Sequence, residues 1–414
     1  MARALFLGAA LALALLPANV VPAALPLLQE AWQLDNAMAG WLVASYQLGY
    51  VVSVLVILPL TDRIASEKVI ALCVLTTSSA SILFALFAFD VWSTSLLCFL
   101  AGLGLAGIYL PGVRLVAGSS PSARRGMAVA LYVAAFYGGT ALSFWFTGLL
   151  LPYGGWRGAA LLAGVLALVA IPLVFIQRPQ AQASQTTDSQ AASPLASADN
   201  SRAKAKASGK LDVRVLRNAA VLRTVLGYTG HAWELYVSRG WLAAFLASVL
   251  ARQGMGSLEA SSQGSQAAAI MAFFGVFGVF MGGWLSDTWG RASSALLIAA
   301  ISAVFSFSFG FFAAAPWWLL MSVGCAYGFI VSADSPIYST AITEVAPRDQ
   351  LGSAQALQAS IGFAATILAP VASGWLLDIG LGWEAIFIAA GAVGLLLTLP
   401  LLKLARHERQ QLPS

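Results

Sequence analysis

Charge is scarce in this chain: Asp, Glu, Lys and Arg together make up 9% of it, against about a quarter in a soluble domain. So thin a charge cannot solvate a protein of this size, which excludes an ordinary soluble globular fold. Histidine occurs twice and cysteine three times. Nothing in that small set has metal-ligand spacing, so no metal site and no cofactor is expected. Cys73, Cys98 and Cys325 all fall within apolar runs, and no disulfide is expected. No glycine-rich phosphate loop is present, which argues against an ATP-driven pump in this chain alone. No nucleophile–base pair marks an enzyme.

What the chain has in place of charge is apolar sequence: 59% of it is hydrophobic, broken into runs of about twenty residues. A helix of that length crosses a ~30 Å hydrocarbon core at 1.5 Å per residue. Spans are expected at 4–28, 38–60, 68–89, 95–117, 127–150 and 157–177, then at 219–250, 266–286, 293–314, 317–342, 353–377 and 384–403. The first runs on through Pro17, Pro22 and Pro26 to Leu28, longer than a signal-peptide core, and is kept as a membrane helix. The expected class is an all-α integral membrane protein with twelve transmembrane helices.

Orientation follows from Lys and Arg. With both termini cytoplasmic, only Arg157 and Arg252 fall on the outer side, and Arg114 and Arg239 within spans, of 22 such residues. The net charge of +5 therefore reports membrane orientation, and no nucleic-acid partner is expected. The expected location is a bacterial inner (plasma) membrane.

Residues 178–218 interrupt the pattern. From Gln180 to Lys210 the chain is rich in Ala, Ser, Gln and Lys, too poor in large apolar side chains to fold, and is expected to be a flexible cytoplasmic tether. The domains are thus 1–177, the tether 178–218, 219–403 and a short cytoplasmic tail, 404–414. The two bundles repeat each other at an offset of about 226 residues. Asp62 matches Asp287, Pro121 and Gly126 match Pro347 and Gly352, and Gly148 matches Gly374. Six spans per half, an even number, give both halves one orientation, with a pseudo-twofold axis along the membrane normal.

At this point the chain resembles the major facilitator superfamily, over nearly its whole length. Gly283-Trp-Leu-Ser-Asp287-Thr-Trp-Gly290-Arg291, between spans 8 and 9, is similar to that family's Gly-x-Leu-x-Asp-x-x-Gly-Arg loop. The first-half counterpart keeps Asp62-Arg63 but lacks both glycines and the second arginine. The resemblance implies two bundles rocking about a central site, with Asp62, Arg63, Asp287, Gly290 and Arg291 as a cytoplasmic gate. It also implies a cavity lined by spans 1, 4, 7 and 10 with parts of 2, 5, 8 and 11. The glycine–proline motif of many drug/proton antiporters is absent from Phe136–Ser143, and Cys98 stands near the place of an arginine found in many proton-coupled members. The paired arginines of nitrate porters have no counterpart.

Charges inside a span cost about 2.5–3.5 kcal/mol each on insertion scales, so each is a functional hypothesis. They are Arg114, His231, Glu234, Arg239 and Asp334. His231, Glu234 and Ser238 fall at i, i+3 and i+7, on one helical face. Arg239 lies about 140° round the helix from Glu234, so the two are not expected to pair. Glu234, Asp334 and His231 are the proton-coupling candidates. Asp334, in Ser332-Ala-Asp334-Ser-Pro336, has a second reading as the cap of a helix restarting at Ser335. The solute-binding candidates are Arg239, Arg114, Asn19, Tyr46, Gln47, Tyr137, Tyr236, Gln355 and Gln358; Arg114 alternatively pairs with Asp62 or snorkels to the headgroups.

The expected function is secondary active transport of a small polar or organic solute by proton-coupled symport, with Arg239 and Arg114 favouring an anionic one. The partners are the solute, protons and membrane lipids, and the protein is expected to act as a monomer. Two competing readings remain open: proton-coupled efflux of amphiphilic compounds, and a non-transporting membrane sensor.

Overall fold

The computed structural model describes residues 2–56, 61, 63–120, 125–176 and 212–411. Asp62, the tether from 178 to 211 and the last three residues of the tail therefore lie outside the described residues. No strand occurs among those described.

The first half holds α1, which opens with Ala2–Ala14 and ends with Leu25–Trp32, then α2 (Asn36–Val56), α3 (Ser66–Phe87) and α4 (Val91–Ser119). Arg125–Ala167 is helical throughout except at Gly155, which divides it into α5 (125–154) and α6 (156–175). The second half holds α7 (Ala219–Arg252), α8 (Ser257–Trp289) and α9 (Arg291–Phe309). It continues with α10 (Trp317–Ala333, then Ser335–Val345), α11 (Leu351–Asp378) and α12 (Gly382–Thr398). A final helix, α13 (Leu402–Gln411), follows.

Ten stretches are long and apolar enough to cross a membrane on composition alone. One of them, Met127–Phe175, folds back at Gly155 and crosses twice. α7 is absent from that set because its charged residues dilute its hydropathy. Its length, at 1.5 Å per residue, still spans the core, and twelve crossings result. The two six-helix bundles are as the sequence predicts, with exposed Leu, Phe and Trp side chains such as Leu72, Trp92, Phe277 and Trp318 facing outward as a lipid-soluble girdle. Val213–Arg217, within the stretch whose composition reads as tether, forms a short 3-10 turn with Val215 buried against Val221 and Ile342.

Local devices explain several polar residues. Three prolines break α1, and Ser143 of α5 repairs one gap. It donates to the Leu16 carbonyl at 2.7 Å and accepts the Asn19 amide at 3.0 Å, so neither backbone group is left bare in an apolar bundle. Arg157, expected on the outer side against the charge rule, donates to the Ala85 and Ala88 carbonyls at the end of α3, at 2.7 Å each, with its guanidinium 4.3 Å from the Trp156 ring. Asp90 caps α4 by accepting the Ser93 amide, which holds its carboxyl below the usual range.

The two halves meet at the end remote from the chain termini. There α2 packs on α11 and α5 on α8, backbone to backbone: a Cβ at Gly374 would sit 2.0 Å from the Asn36 carbonyl oxygen, and one at Gly148 would sit 2.7 Å from that of Ser262. Only glycine permits that approach. Asp378, at the end of α11, accepts the amides of Asn36 (2.9 Å) and Ala37 (2.8 Å), so a carboxylate of one half caps a helix of the other. Such a cap contributes about 1 kcal/mol, a factor of about five in an equilibrium. Asp378→Ala is therefore expected to open this end by a few-fold. Spin labels at Gln33 and Gln253 should then report more of the long-distance population, and an unchanged distribution would count against the cap as a latch.

Candidate functional site

Toward the termini end the halves part, leaving a cavity of about 490 Å³ between them. Its walls run from the first turns of α5 (Val129, Val133) and the last turns of α8 (Val279, Gly283) inward to His231, Tyr236 and Arg239 of α7. Beyond Arg239 a second chamber of about 100 Å³ extends into the first bundle, among Asn19, Tyr46 and Gln47. Tyr50, Phe136, Tyr236 and Arg239 line both, so Arg239 stands at the junction.

Arg239 has no carboxylate partner among the described residues. Aromatic rings hold it instead: Tyr137 and Tyr236 at 5.5 Å and Phe136 at 5.8 Å from its guanidinium carbon. Ring faces steady a cation by their quadrupole without consuming its N–H donors. The planar fork stays available to a bound group.

Asp334 lies where α10 breaks between Ala333 and Ser335. Its side chain makes no cap bond to the restarted helix, so the capping reading gives way to another. Its Oδ1 is 2.6 Å from Nδ1 of His231, with both side chains about 95% buried at 5% and 6% exposure. Nε2 of His231 is 2.9 Å from the Ser335 hydroxyl, which accepts a bond from Tyr137 at 3.0 Å. A continuous chain thus runs from Tyr137 in the first half, beside Arg239, through Ser335 and His231 to Asp334 in the second. Sequence reasoning quoted Ser335 only as part of a helix restart and missed its place in this chain.

Glu234 is elsewhere. It does not line the cavity; Ser302 of α9 donates to its Oε1 at 2.8 Å and Tyr327 of α10 at 3.4 Å. A Cβ at Gly394 of α12 would lie 2.9 Å from its other oxygen. As the helical spacing predicts, Glu234 and Arg239 do not pair.

The other expected solute-binding residues divide. Asn19, Tyr46 and Gln47 line the inner chamber, Tyr137 the outer cavity and Tyr236 both. Gln358 does not: it is buried between α11 and α10 and donates to the Tyr338 carbonyl at 3.2 Å. Gln355, one turn earlier, also lies off the cavity walls, its side-chain oxygen buried. Arg114 is displaced from the cavity too, donating to Thr61 at 2.7 Å in the loop beside Asp62. Gln358 and Arg114 sit near the termini end of their helices, where their side chains reach a neighbouring backbone carbonyl or a loop before they reach the cavity.

In the loop expected to form the gate, Arg291 bonds Asp287, Ser286 (2.8 Å) and Glu344 (3.0 Å), all within its own half. Gly290 has φ +89°, a conformation L side chains avoid, which explains the glycine before Arg291. Glu408 of α13 accepts the amides of Ala292 (2.9 Å) and Ser293 (3.1 Å), capping α9. Arg63 is exposed, and its neighbour Asp62 lies outside the described residues.

Comparison with known proteins agrees with this geometry. The sequence profile of the Major Facilitator Superfamily matches residues 7–258 and 235–414. A gallate transporter of Pseudomonas putida is 24% identical over 387 residues, 88% of this chain and 83% of its own. A benzoate transport protein of Acinetobacter baylyi is 26% identical over 156 residues, 36% of this chain and 33% of its own. Among solved structures, an inward-facing bacterial homologue of the human lysosomal transporter Spinster superposes with a TM-score of 0.72, at 16% identity, over 100% of this chain and 98% of that one. With the repeated halves, the central cavity and the profile match along its length, this chain belongs to the Major Facilitator Superfamily, as a membrane transporter and not an enzyme.

Proposed function

We propose that this protein imports an aromatic carboxylate together with a proton across a bacterial inner membrane, with both termini in the cytoplasm. The observation that carries the reading is Arg239: a guanidinium at the junction of the two chambers, beside Phe136, Tyr137 and Tyr236, with no acidic partner among the described residues. A carboxylate supplies the missing counter-charge through paired hydrogen bonds, and an aromatic body suits the surrounding rings. Transport of gallate and of benzoate by the two relatives supports the same solute class. On this topology the cavity opens to the cytoplasm, the state that follows delivery.

The proton travels on the His231–Asp334 pair. When Arg239 binds an anion, the charge of the neighbourhood changes, and Tyr137 and Ser335 connect that change to His231 by hydrogen bonds. Tyr137 belongs to one half and Ser335 to the other, so the link breaks and re-forms as the halves rock. Glu234, enclosed by Ser302 and Tyr327, serves to fix α7 against its own bundle. Arg291, held within its half, and Asp62 form the gate that closes when the cytoplasmic ends meet. The absence of the antiporter motif favours import over efflux.

The test is an internal pH dye in proteoliposomes to which benzoate or gallate is added without an imposed gradient, with protein-free vesicles giving the passive leak. Protein-dependent acidification is the expected result. Alkalinisation would replace symport by antiport, and neither a pH change nor uptake of labelled solute would overturn the reading.

A further inference from the structure

The hydrogen bonds between Tyr137 and Asp334 have a direction as well as a route. Tyr137 donates to Ser335 at 3.0 Å, and a hydroxyl has one hydrogen, so Ser335 spends its own on Nε2 of His231 at 2.9 Å. Nε2 is then an acceptor, the ring is neutral, and Nδ1 carries the hydrogen that meets Oδ1 of Asp334 at 2.6 Å. Tyr137, Ser335 and His231 line the cavity, whereas Asp334 does not. The end of the buried pair that faces the cavity is therefore Nε2. A proton arriving there makes Nε2 a donor to Ser335, and the Ser335 hydrogen turns to the Tyr137 oxygen. Tyr137, whose ring lies 5.5 Å from the Arg239 guanidinium carbon, is left with its hydrogen unspent beside that cation.

We propose that Tyr137 and Ser335 form a reversible relay that makes the solute and the proton bind together. With His231 neutral, Tyr137 donates to Ser335 and offers the solute nothing. With His231 protonated on Nε2, each bond of the relay reverses, and Tyr137 donates to a carboxylate oxygen of the solute on Arg239. One proton passes from solvent in the cavity to Nε2 and stays there; the hydroxyls only turn, and no O–H bond breaks. By linkage, a bound carboxylate favours the protonated imidazole to the same degree. Tyr137 touches the solute, and Ser335 is a positioning residue that acts through it. The proposal rests on the carboxylate reading above. The other ionisable groups facing His231 are Asp334 and Tyr338 of α10 and Tyr228 of α7, with Tyr50 and Tyr109 of the first half on the cavity wall. Glu234 and Arg239 share its helix, and α8 and α11 bring no ionisable side chain to this wall. Ser335 is the hydrogen-bonded link from His231 to the solute side, so removing its hydroxyl isolates the relay from all of them.

The experiment measures Kd for benzoate on purified protein at about pH 8 and about pH 6, either side of the ordinary imidazole range, for wild type, Ser335→Ala and Ser335→Thr. Benzoate stays ionised at both, since carboxylic acids ordinarily titrate near about pH 4. The readout is the ratio of the two Kd values, which a loss of folded protein does not move. Wild type should bind about tenfold more tightly at the lower pH, one charge-assisted hydrogen bond's worth, and should take up protons from a weakly buffered solution as benzoate binds. Ser335→Ala should bind at both pH values with the weaker wild-type affinity and take up none. Ser335→Thr keeps the hydroxyl and should restore the ratio. A pH-independent wild type, a ratio that survives Ser335→Ala, or one lost in Ser335→Thr as well would overturn the relay and leave Arg239 standing as the carboxylate site. Failure of the wild type to bind benzoate at either pH would overturn both.

Discussion

Arg239→Met is expected to abolish saturable uptake of a carboxylate solute while making the empty protein more stable. The two effects have opposite signs because they come from different terms. In the empty protein Arg239 is a charge inside a membrane helix without an acidic partner among the described residues, held by three aromatic rings at 5.5–5.8 Å. Cation–π contacts offset only part of the cost of keeping a charge at that depth. Methionine fills a similar length of space with no charge to desolvate, so the melting temperature in detergent should rise by a few degrees. In the loaded protein the guanidinium fork makes charge-assisted bonds that methionine cannot, and losing one partner of a buried charge pair costs about 2–5 kcal/mol. That is a loss of affinity between about thirtyfold and several thousandfold. Arg239→Lys should fall between, because an ammonium keeps the charge but not the planar fork. The decisive measurement is thermal stability with and without benzoate. Wild type should gain stability on adding ligand and Arg239→Met should not, although its baseline is higher. A variant that still responds to benzoate would remove Arg239 from the site.

The sequence carried the outline of this site further than its wiring. Span lengths, the near-repeat of the two halves and the scarcity of charge were enough to place twelve helices in two bundles, because a lipid solvent leaves the chain few alternatives. Arg239 and Asp334 were conspicuous for the same reason: in a chain with 9% charge, an ionisable group within an apolar run stands out. The partners of those groups were not legible. His231, Glu234 and Ser238 share a helical face, yet i, i+3 and i+7 still spread over about 60° of the circumference. In a packed bundle that arc reaches different neighbours: His231 meets the break in α10, whereas Glu234 meets Ser302 of α9 and Tyr327 of α10. Which neighbour lies across the gap is decided by helix packing, information that no single helix contains. Gln355 and Gln358 mislead for a related reason. Polar residues in a span look like site residues in one dimension, but Gln358 is satisfied by a backbone carbonyl of α10.

Asp334→Asn separates solute binding from proton drive. A monoanion carried with one proton moves no net charge, so a pH difference alone sets the accumulation. Each pH unit, acid outside, is worth about 1.4 kcal/mol and sustains about tenfold concentration inside. Asparagine keeps the shape of Asp334 and an acceptor oxygen for Nδ1 of His231, now 2.6 Å from the carboxylate, but cannot itself take up a proton. The variant should therefore still bind the solute at Arg239 and still exchange labelled for unlabelled solute across the membrane. Under a gradient of one pH unit its accumulation should fall from about tenfold to about one. Counterflow guards against the trivial outcome. Perturbing a buried hydrogen-bonded pair costs stability, and a misfolded protein would lose both activities, whereas an uncoupled one loses only accumulation. His231→Gln should behave alike if the pair acts as a unit, and combining the two substitutions should cost little more than either alone. An Asp334→Asn protein that still concentrates solute tenfold would move the proton elsewhere, and Glu234, the other buried carboxylate among the described residues, would then be the residue to neutralise.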